Sequence, residues 1–169
     1  AFVCLLTGFL TLQPASAVTL NPSVDSRSTP SAGPVAANTQ DMTVGPTGGG
    51  NYYRSYMTFD LSALTPSSAS TNVTLKLFGY TSSGSEGNTA PLLPQVFTLF
   101  QVSSDWNGTP APGPEGTALA AVNITPALGN DGQSIEFSSP DLTNAFNNAI
   151  GGYLYLGIKT AKEGAANRS

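Results

Sequence analysis

The fold is decided by residues 52–61, which read YYRSYMTFDL and alternate in polarity. In an extended chain, one side of this stretch carries an apolar row broken only by Ser55: Tyr53, Met57, Phe59 and Leu61. The other side carries Arg54, Thr58 and Asp60, together with the amphipathic rings of Tyr52 and Tyr56. Because successive side chains of a strand point to opposite faces, the pattern predicts a strand with one buried face and one wet face.

A second alternating run, VTLKLFGY, covers residues 73–80. Val73, Leu75 and Leu77 share one face, whereas the opposite face carries Thr74, Lys76 and Tyr80. We expect the two runs to be central strands of an antiparallel β-sandwich or jelly roll. Further strands are predicted at residues 119–125, 134–137 and 153–159, the last with Leu154, Leu156 and Ile158 inward. The nearly continuous apolar run 95–102 predicts a strand that is buried on both faces or lies beneath a covering loop.

The region before residue 52 gives weaker signals. Less regular strands are expected around residues 18–24 and 41–44, with little periodicity elsewhere in residues 19–37. The glycine-rich segment 45–50 lacks the lysine and the following helix of a phosphate-binding loop. We interpret it as a hairpin connection.

One short helix is predicted near the C-terminal part of the chain. Ser139 can cap it, Pro140 suits its first position, and Asp141 complements the positive end of the helix dipole. Leu142, Ala145, Phe146 and Ala149 then recur at helical spacing, and Gly151-Gly152 ends the helix. Such a helix can close one end of a sandwich core.

Composition limits the classes of function. The 169 residues suit a single domain, and only 9% are charged, against roughly 25% in ordinary soluble domains. A net charge of −4 with six scattered Lys and Arg argues against nucleic acid and against a polybasic membrane-binding segment. The chain has no histidine, which excludes Ser-His-Asp and Cys-His catalysis and histidine-ligated metals.

Residues 1–17 resemble a partial secretory signal peptide. The apolar run at residues 2–12 is too short to span a bilayer, and Ala15-Ser16-Ala17 forms a small-residue cleavage site. A buried apolar helix is the alternative interpretation. Cleavage would remove Cys4, the only cysteine, and leave residues 18–169 as one secreted, extracellular or cell-surface domain.

The order of these motifs resembles the DNRLRE-type domain, a secreted β-jelly-roll family allied to carbohydrate-binding modules. The matching pieces are RSYMTFDLS at 54–62, VTLKL at 73–77, SDW at 104–106, the helical region 137–150 and YLGIK at 155–159. The resemblance covers about residues 41–159. It implies a further strand beyond Ser169, so that the domain would be truncated before its last strand. The strand 153–159 would then expose an open sheet edge.

The candidate ligand contacts are aromatic and cationic side chains, because sugar rings stack on flat aromatic faces. They are Tyr52, Arg54, Tyr56, Lys76, Tyr80 and Trp106, with Arg54 and Lys76 suited to an acidic polysaccharide. For Trp106 and Tyr155, ordinary packing is the stronger alternative. Asp60 is expected to bond N–H groups of its own turn.

No cofactor is expected, although Asp41 and Asp131 lie in oxygen-rich loops that could hold a structural calcium ion. The triplets that begin at Asn72, Asn107 and Asn123 match glycosylation sequons. The acidic residues are dispersed, and no nucleophile motif is present. The sequence therefore favours a secreted, non-catalytic module that binds polysaccharide or belongs to a surface or matrix protein. A purely structural adhesion domain is the alternative, and a polysaccharide-degrading enzyme comes third.

Overall fold

The computed structural model describes residues 19–29, 33–37, 44–46, 52–78, 95–102, 115–124 and 134–161. These residues form nine strands, one α-helix and one short 3-10 turn at Pro66–Ser68. The strands are β1 (Val24–Thr29), β2 (Gly33–Ala37), β3 (Gly45–Pro46), β4 (Tyr52–Asp60), β5 (Thr74–Phe78), β6 (Gln95–Val102), β7 (Glu115–Ile124), β8 (Ser134–Ser138) and β9 (Tyr153–Thr160). The helix α1 spans Pro140–Ala149.

The strands make two antiparallel sheets. The larger sheet has the order β2-β1-β4-β9-β6-β7, with β3 also paired to β4, and the smaller sheet pairs β5 with β8. The chain therefore changes sheet four times after β4. Because β4 pairs with β9 while β5 pairs with β8, the strands are nested in the wrapped order expected of a jelly roll. The fold is an all-β sandwich with one short helix, as predicted.

The core lies between the inner faces of the two sheets. The larger sheet contributes apolar side chains that are almost fully buried, among them Met57, Phe59, Leu99, Leu154, Leu156 and Ile158. Ile135 and Phe137 of β8 close the core from the smaller sheet, with Leu75 and Leu77 of β5 partly buried against it. Each large apolar side chain contributes about 1.5–3 kcal/mol when fully buried. The predicted inner faces are confirmed for β9 and, at Met57, Phe59 and Leu61, for β4 and the residue that follows it.

The opposite face of the larger sheet differs from the prediction for β4. This face was expected to be wet, but Tyr56 is 6% exposed and Thr58 only 3%. The reason is in β6, which lies beyond β9 in the sheet and whose Phe100 and Val102 make a second buried cluster with Tyr56. The predicted burial of residues 95–102 on both faces holds for the second half of β6, where Leu99, Phe100 and Val102 are buried, whereas Val96 is 40% exposed.

The predicted open edge beside residues 153–159 is wrong. Strand β9 lies inside the larger sheet, paired with β4 through Leu156↔Met57 on one side and with β6 through Ile158↔Leu99 on the other. After α1 the chain returns to the larger sheet, where β9 lies between β4 and β6, two strands that are distant from it in the sequence. In the described part of the chain, β5 has β8 as its only partner strand, so it is not central.

The helix follows its predicted boundaries. The Ser139 Oγ accepts a hydrogen bond from the Leu142 N–H at 2.9 Å, which caps the first turn. Gly151 ends the helix with a φ of 85°, a left-handed conformation that glycine adopts without a Cβ clash. Leu142 and Ala145 are buried against the core between the sheets.

The strands before residue 52 differ from the predicted ones. β1 begins at Val24, where the predicted strand ends, and β2 lies in a stretch expected to be irregular. β3 forms at Gly45–Pro46 inside the predicted connection and pairs with Tyr52 and Tyr53, which still makes a hairpin. Residues 1–17 and 41–43 lie outside the described residues. In the ranges that are described, no helix has the length and apolarity needed to cross a membrane.

Candidate functional site

The outer face of the larger sheet gathers most of the candidate site residues that the structure describes. Cross-strand register places Thr58 opposite Tyr155 and Tyr56 opposite Gly157. By the alternation of each strand, this face carries Arg54, Tyr56, Thr58 and Asp60 from β4 and Tyr153, Tyr155, Gly157 and Lys159 from β9. We call it the outer face below.

Phe100 lies at the centre of the outer face. Its ring packs directly on Gly157. A Cβ built on that glycine would be only 2.3 Å from the Phe100 Cζ. The Tyr56 ring meets it edge to face, with centroids 6.2 Å apart and planes at 90°. Phe100 is 1% exposed, so this aromatic pair is a packed layer on the outer face and has little free surface.

Two cations lie over Phe100, and one carboxylate pairs with both of them. The Arg54 guanidinium carbon is 5.8 Å from the ring centroid and the Lys159 Nζ is 5.9 Å from it, both within cation–π range. Lys159 donates a hydrogen bond to Glu115, and the Arg54 Nη1 is 3.5 Å from the Glu115 Oε2. The three side chains are 23–31% exposed. We call Arg54, Glu115 and Lys159 the ionic cluster; its net charge is positive in a chain that is negative as a whole.

The other end of β9 carries a pair of tyrosines. The Tyr153 and Tyr155 rings are 6.1 Å apart at an interplanar angle of 26°, which is a stacked arrangement. Tyr155 is half-buried and packs against the cluster of Tyr56, Phe100 and Val102. Tyr153 is 51% exposed, so its ring extends the buried aromatic layer into solvent.

Beside this pair lies a polar atom without a described partner. The Thr58 Oγ1 is buried and has no hydrogen-bond partner among the residues that the structure describes. It belongs to the residue opposite Tyr155. Buried hydroxyls are normally satisfied, so this one marks a place where a further polar group would be stabilising.

Asp60, at the end of β4, has the turn role predicted for it. Its Oδ1 accepts from the Ser62 N–H at 2.9 Å. Hydrogen bonds from the Ser62 hydroxyl and then from its backbone N–H lower the pKa of the Asp60 carboxyl. This carboxylate is therefore a structural acceptor within its turn.

Lys76 is not brought to the outer face of the larger sheet. It lies on β5, where it pairs across the strand with Glu136 at 2.9 Å, and both side chains are about half exposed. Since the core separates the two sheets, Arg54 and Lys76 are on opposite sides of the sandwich. One sugar chain cannot contact both of them within a single subsite.

Several predicted ligand or metal residues lie outside the described part of the chain. Tyr80, Trp106, Asp41 and Asp131 are outside the described residues, as is the side chain of Tyr52, whose backbone belongs to β4. Within the described ranges, no group of three or more Cys, His, Asp or Glu residues is arranged to hold a metal ion.

A concavity opens at the start of β5 beside α1. It encloses about 420 Å³ and is lined by polar residues that include Asn72, Ser138 and Thr143. Much of this lining already has structural partners: the Thr143 Oγ1 accepts from the Val73 N–H and donates to the Ser139 carbonyl. We call it the polar groove.

The sequence analysis missed three members of the outer face: Tyr153, Lys159 and Glu115. For β9 the signal was present, because the inward positions of Leu154, Leu156 and Ile158 leave the alternate residues facing outward. Glu115 had no such signal, since its strand was expected to begin four residues later. Its meeting with Arg54 and Lys159 depends on the pairing of β7 with β6.

Comparison with known proteins adds no assignment. No protein-family model and no curated protein matches this chain. The resemblance to DNRLRE-type domains therefore stays a prediction that depends on the motifs quoted above.

Proposed function

We propose that this chain is a secreted, non-catalytic module that binds polysaccharide on the outer face of its larger sheet. The observation that supports this most directly is the stacked pair of Tyr153 and Tyr155. A sugar ring presents a face of C–H groups that packs on a flat aromatic ring, and its hydroxyls then need polar partners at the rim. Tyr153 offers such a ring at 51% exposure, next to the Tyr155 ring that fixes its orientation.

The polar partners lie along the same strand. Tyr155 and Lys159 are four residues apart on one face of β9, roughly 13 Å at the rise of a β-strand. A chain of several sugar rings can therefore reach from the tyrosine pair to the ionic cluster. Arg54 and Lys159 would favour a polysaccharide that carries carboxylates, and the net negative charge of the protein would oppose nonspecific attraction to other polyanions.

Two features support a binding role over catalysis. The described carboxylates of Glu115 and Glu136 are held in ion pairs, and that of Asp60 accepts the Ser62 N–H. The chain also has no histidine that could act as a base near neutral pH. The secreted location is supported by the leader-like residues 1–17 and by the low charged fraction.

A structural adhesion or matrix domain is the second candidate. It is favoured by the burial of Tyr56 and Phe100 and by the internal pairing of the ionic cluster, which together use much of the outer face for folding. In that case Tyr153 would be an exposed packing residue with no ligand.

Binding of the purified chain to polygalacturonate, to its methyl ester and to a neutral glucan separates these candidates. We expect Tyr153→Ala to weaken binding about tenfold, or ~1.4 kcal/mol. Lys76→Ala is the control, since Lys76 is about half exposed on the smaller sheet, on the other side of the sandwich, and this variant should bind normally. No binding to any of the three polymers would favour the structural role, whereas undiminished binding by both variants would show that the ligand does not contact Tyr153. Depolymerisation of a polymer by the purified chain would instead favour an enzyme.

A further inference from the structure

The side of the sandwich opposite the outer face carries a sequon, Asn72-Val73-Thr74. Asn72 and Thr74 are both exposed, whereas Val73 between them is partly buried against the core. Alternation therefore turns both polar side chains of the triplet away from the core. An acceptor asparagine has to lie on an accessible surface segment, and this one directly precedes β5.

The backbone of this segment is held by α1. The Asn147 side chain makes two hydrogen bonds with the Ser70 backbone, both at 2.9 Å, and the Thr143 Oγ1 accepts from the Val73 N–H at 3.1 Å. The Ser70 hydroxyl also donates to the Asn72 carbonyl at 2.8 Å. Asn72 is thus presented by a fixed turn, and a large substituent on its side chain needs no backbone rearrangement.

The amide group of Asn72 is oriented by Ser138. The Ser138 hydroxyl donates to the Asn72 Oδ1 at 3.3 Å, which directs the amide oxygen toward β8. Asn72 also lines the polar groove, where about 420 Å³ of open space adjoins hydroxyl and amide side chains. That space and polarity suit an N-acetylated amino sugar.

We infer that Asn72 is a site of N-linked glycosylation, a modification that requires the secretion proposed above. A bond forms between the Asn72 Nδ2 and C1 of an N-acetylglucosamine, while the bond from C1 to a phosphate oxygen of a lipid-diphosphate oligosaccharide donor breaks. The lipid diphosphate departs as the leaving group, the amide nitrogen releases one proton to the medium, and no oxidation or reduction takes place. The glycan covers the smaller sheet near Lys76 and Glu136, so the outer face of the larger sheet stays accessible.

The test is production of the full chain, behind a heterologous secretion leader, in a eukaryotic host that performs N-glycosylation. Intact mass and peptide mapping, with and without peptide N-glycanase, locate the modified residue. We expect a glycan on Asn72 that is lost in Asn72→Gln and Thr74→Ala. Thr74→Ser keeps the sequon and should retain the glycan, and Asn123→Gln should leave the Asn72 glycan unchanged.

Secreted protein with an unmodified Asn72 would overturn the inference, as would a glycan that persists on Asn72 in Thr74→Ala. The borrowed leader makes this result independent of whether residues 1–17 direct secretion. Polysaccharide binding by the Asn72→Gln variant tests the proposed function separately, since the two features lie on opposite sides of the sandwich. A loss of binding in that variant would count against the placement of the ligand on the outer face.

Discussion

Asn147 pairs with the backbone of Ser70 as a neighbouring strand would. Its Nδ2 donates to the Ser70 carbonyl and its Oδ1 accepts from the Ser70 N–H, each at 2.9 Å. The helix thereby supplies both backbone partners that the segment before β5 would otherwise lack. The Asn147 side chain thus links the helix that closes the core to the segment that joins the two sheets.

We therefore expect Asn147→Ala to lower the free energy of unfolding by about 1–3 kcal/mol, because two backbone groups lose their partners. Asn147→Asp should cost at least as much as the alanine change, since it keeps the acceptor but turns its second carboxylate oxygen toward the Ser70 carbonyl oxygen. Asn148→Ala is the matched control: the neighbouring asparagine is exposed, and alanine favours the helix. Urea unfolding measures all three, and equal midpoints for Asn147→Ala and Asn148→Ala would contradict this account.

Gly157 is required by the Phe100 ring. A Cβ at this position would lie 2.3, 2.6 and 3.0 Å from three ring carbons, closer than van der Waals contact allows. We expect Gly157→Ala to destabilise the fold by about 2–3 kcal/mol through overpacking. Gly152→Ala is the control, since its Cβ would be 3.6 Å from the nearest atom, the Ala149 carbonyl oxygen.

The clash also predicts coupling between the two positions. Phe100→Leu should be less destabilising in the Gly157→Ala background than in the parent chain, because the smaller side chain relieves the contact. Strictly additive free energies of unfolding from a double-mutant cycle would show that the ring does not determine the cost.

Ser139 connects the helix to strand β7. Its hydroxyl caps α1 through the Leu142 N–H and donates to the Leu119 carbonyl, at the irregularity between β6 and β7. Ser139→Ala should cost about 1 kcal/mol for the cap and a similar amount for the unpaired carbonyl.

Two further variants separate these roles. Ser139→Asp keeps a capping acceptor but cannot donate to Leu119, so it should recover only the part due to the cap. Ser138→Ala should change stability by less than about 0.5 kcal/mol, because this exposed hydroxyl has one long bond, to Asn72. If Ser139→Asp kept the full stability of the parent chain, the hydrogen bond to the Leu119 carbonyl would have no stabilising role.

Asp60 should contribute to acid sensitivity. Its pKa is lowered by the Ser62 hydroxyl and backbone N–H, so the folded state favours the carboxylate. The contribution to stability is fully present above the ordinary aspartate pKa of about 3.9 and is lost as the pH falls through the lowered folded value. Ser62→Ala should raise the pKa of Asp60 toward the ordinary value in an NMR titration. An unchanged titration in that variant would show that the hydroxyl is not the main cause.

Local patterns were sufficient for the inner layer. The alternation in residues 52–61 and 153–159 predicted which side chains of β4 and β9 face the core between the sheets, since a strand fixes its two faces by period alone. The capping and spacing residues around 139–151 likewise gave the helix its boundaries, because those signals act within one or two turns. The irregular strands β1 and β2 carried no such period and were not predicted.

Local patterns predicted less of the candidate site. Arg54 was recognised as outward-facing, but its partners Glu115 and Lys159 lie on strands that are distant in sequence. Tyr56 was expected to be free for a ligand, whereas Phe100 packs against it from β6. Nothing in either segment alone shows that the two rings meet.

The sequence by itself determined the class of fold, the inward faces of the main strands and the helix, because these follow from periodicity and from bonds between near neighbours. Only the tertiary structure decided that β9 lies between β4 and β6 and that Arg54, Glu115 and Lys159 meet over Phe100. The physical reason is that strand order depends on which long crossovers bury the most apolar surface. That choice is made by the whole core and by no single stretch of the chain.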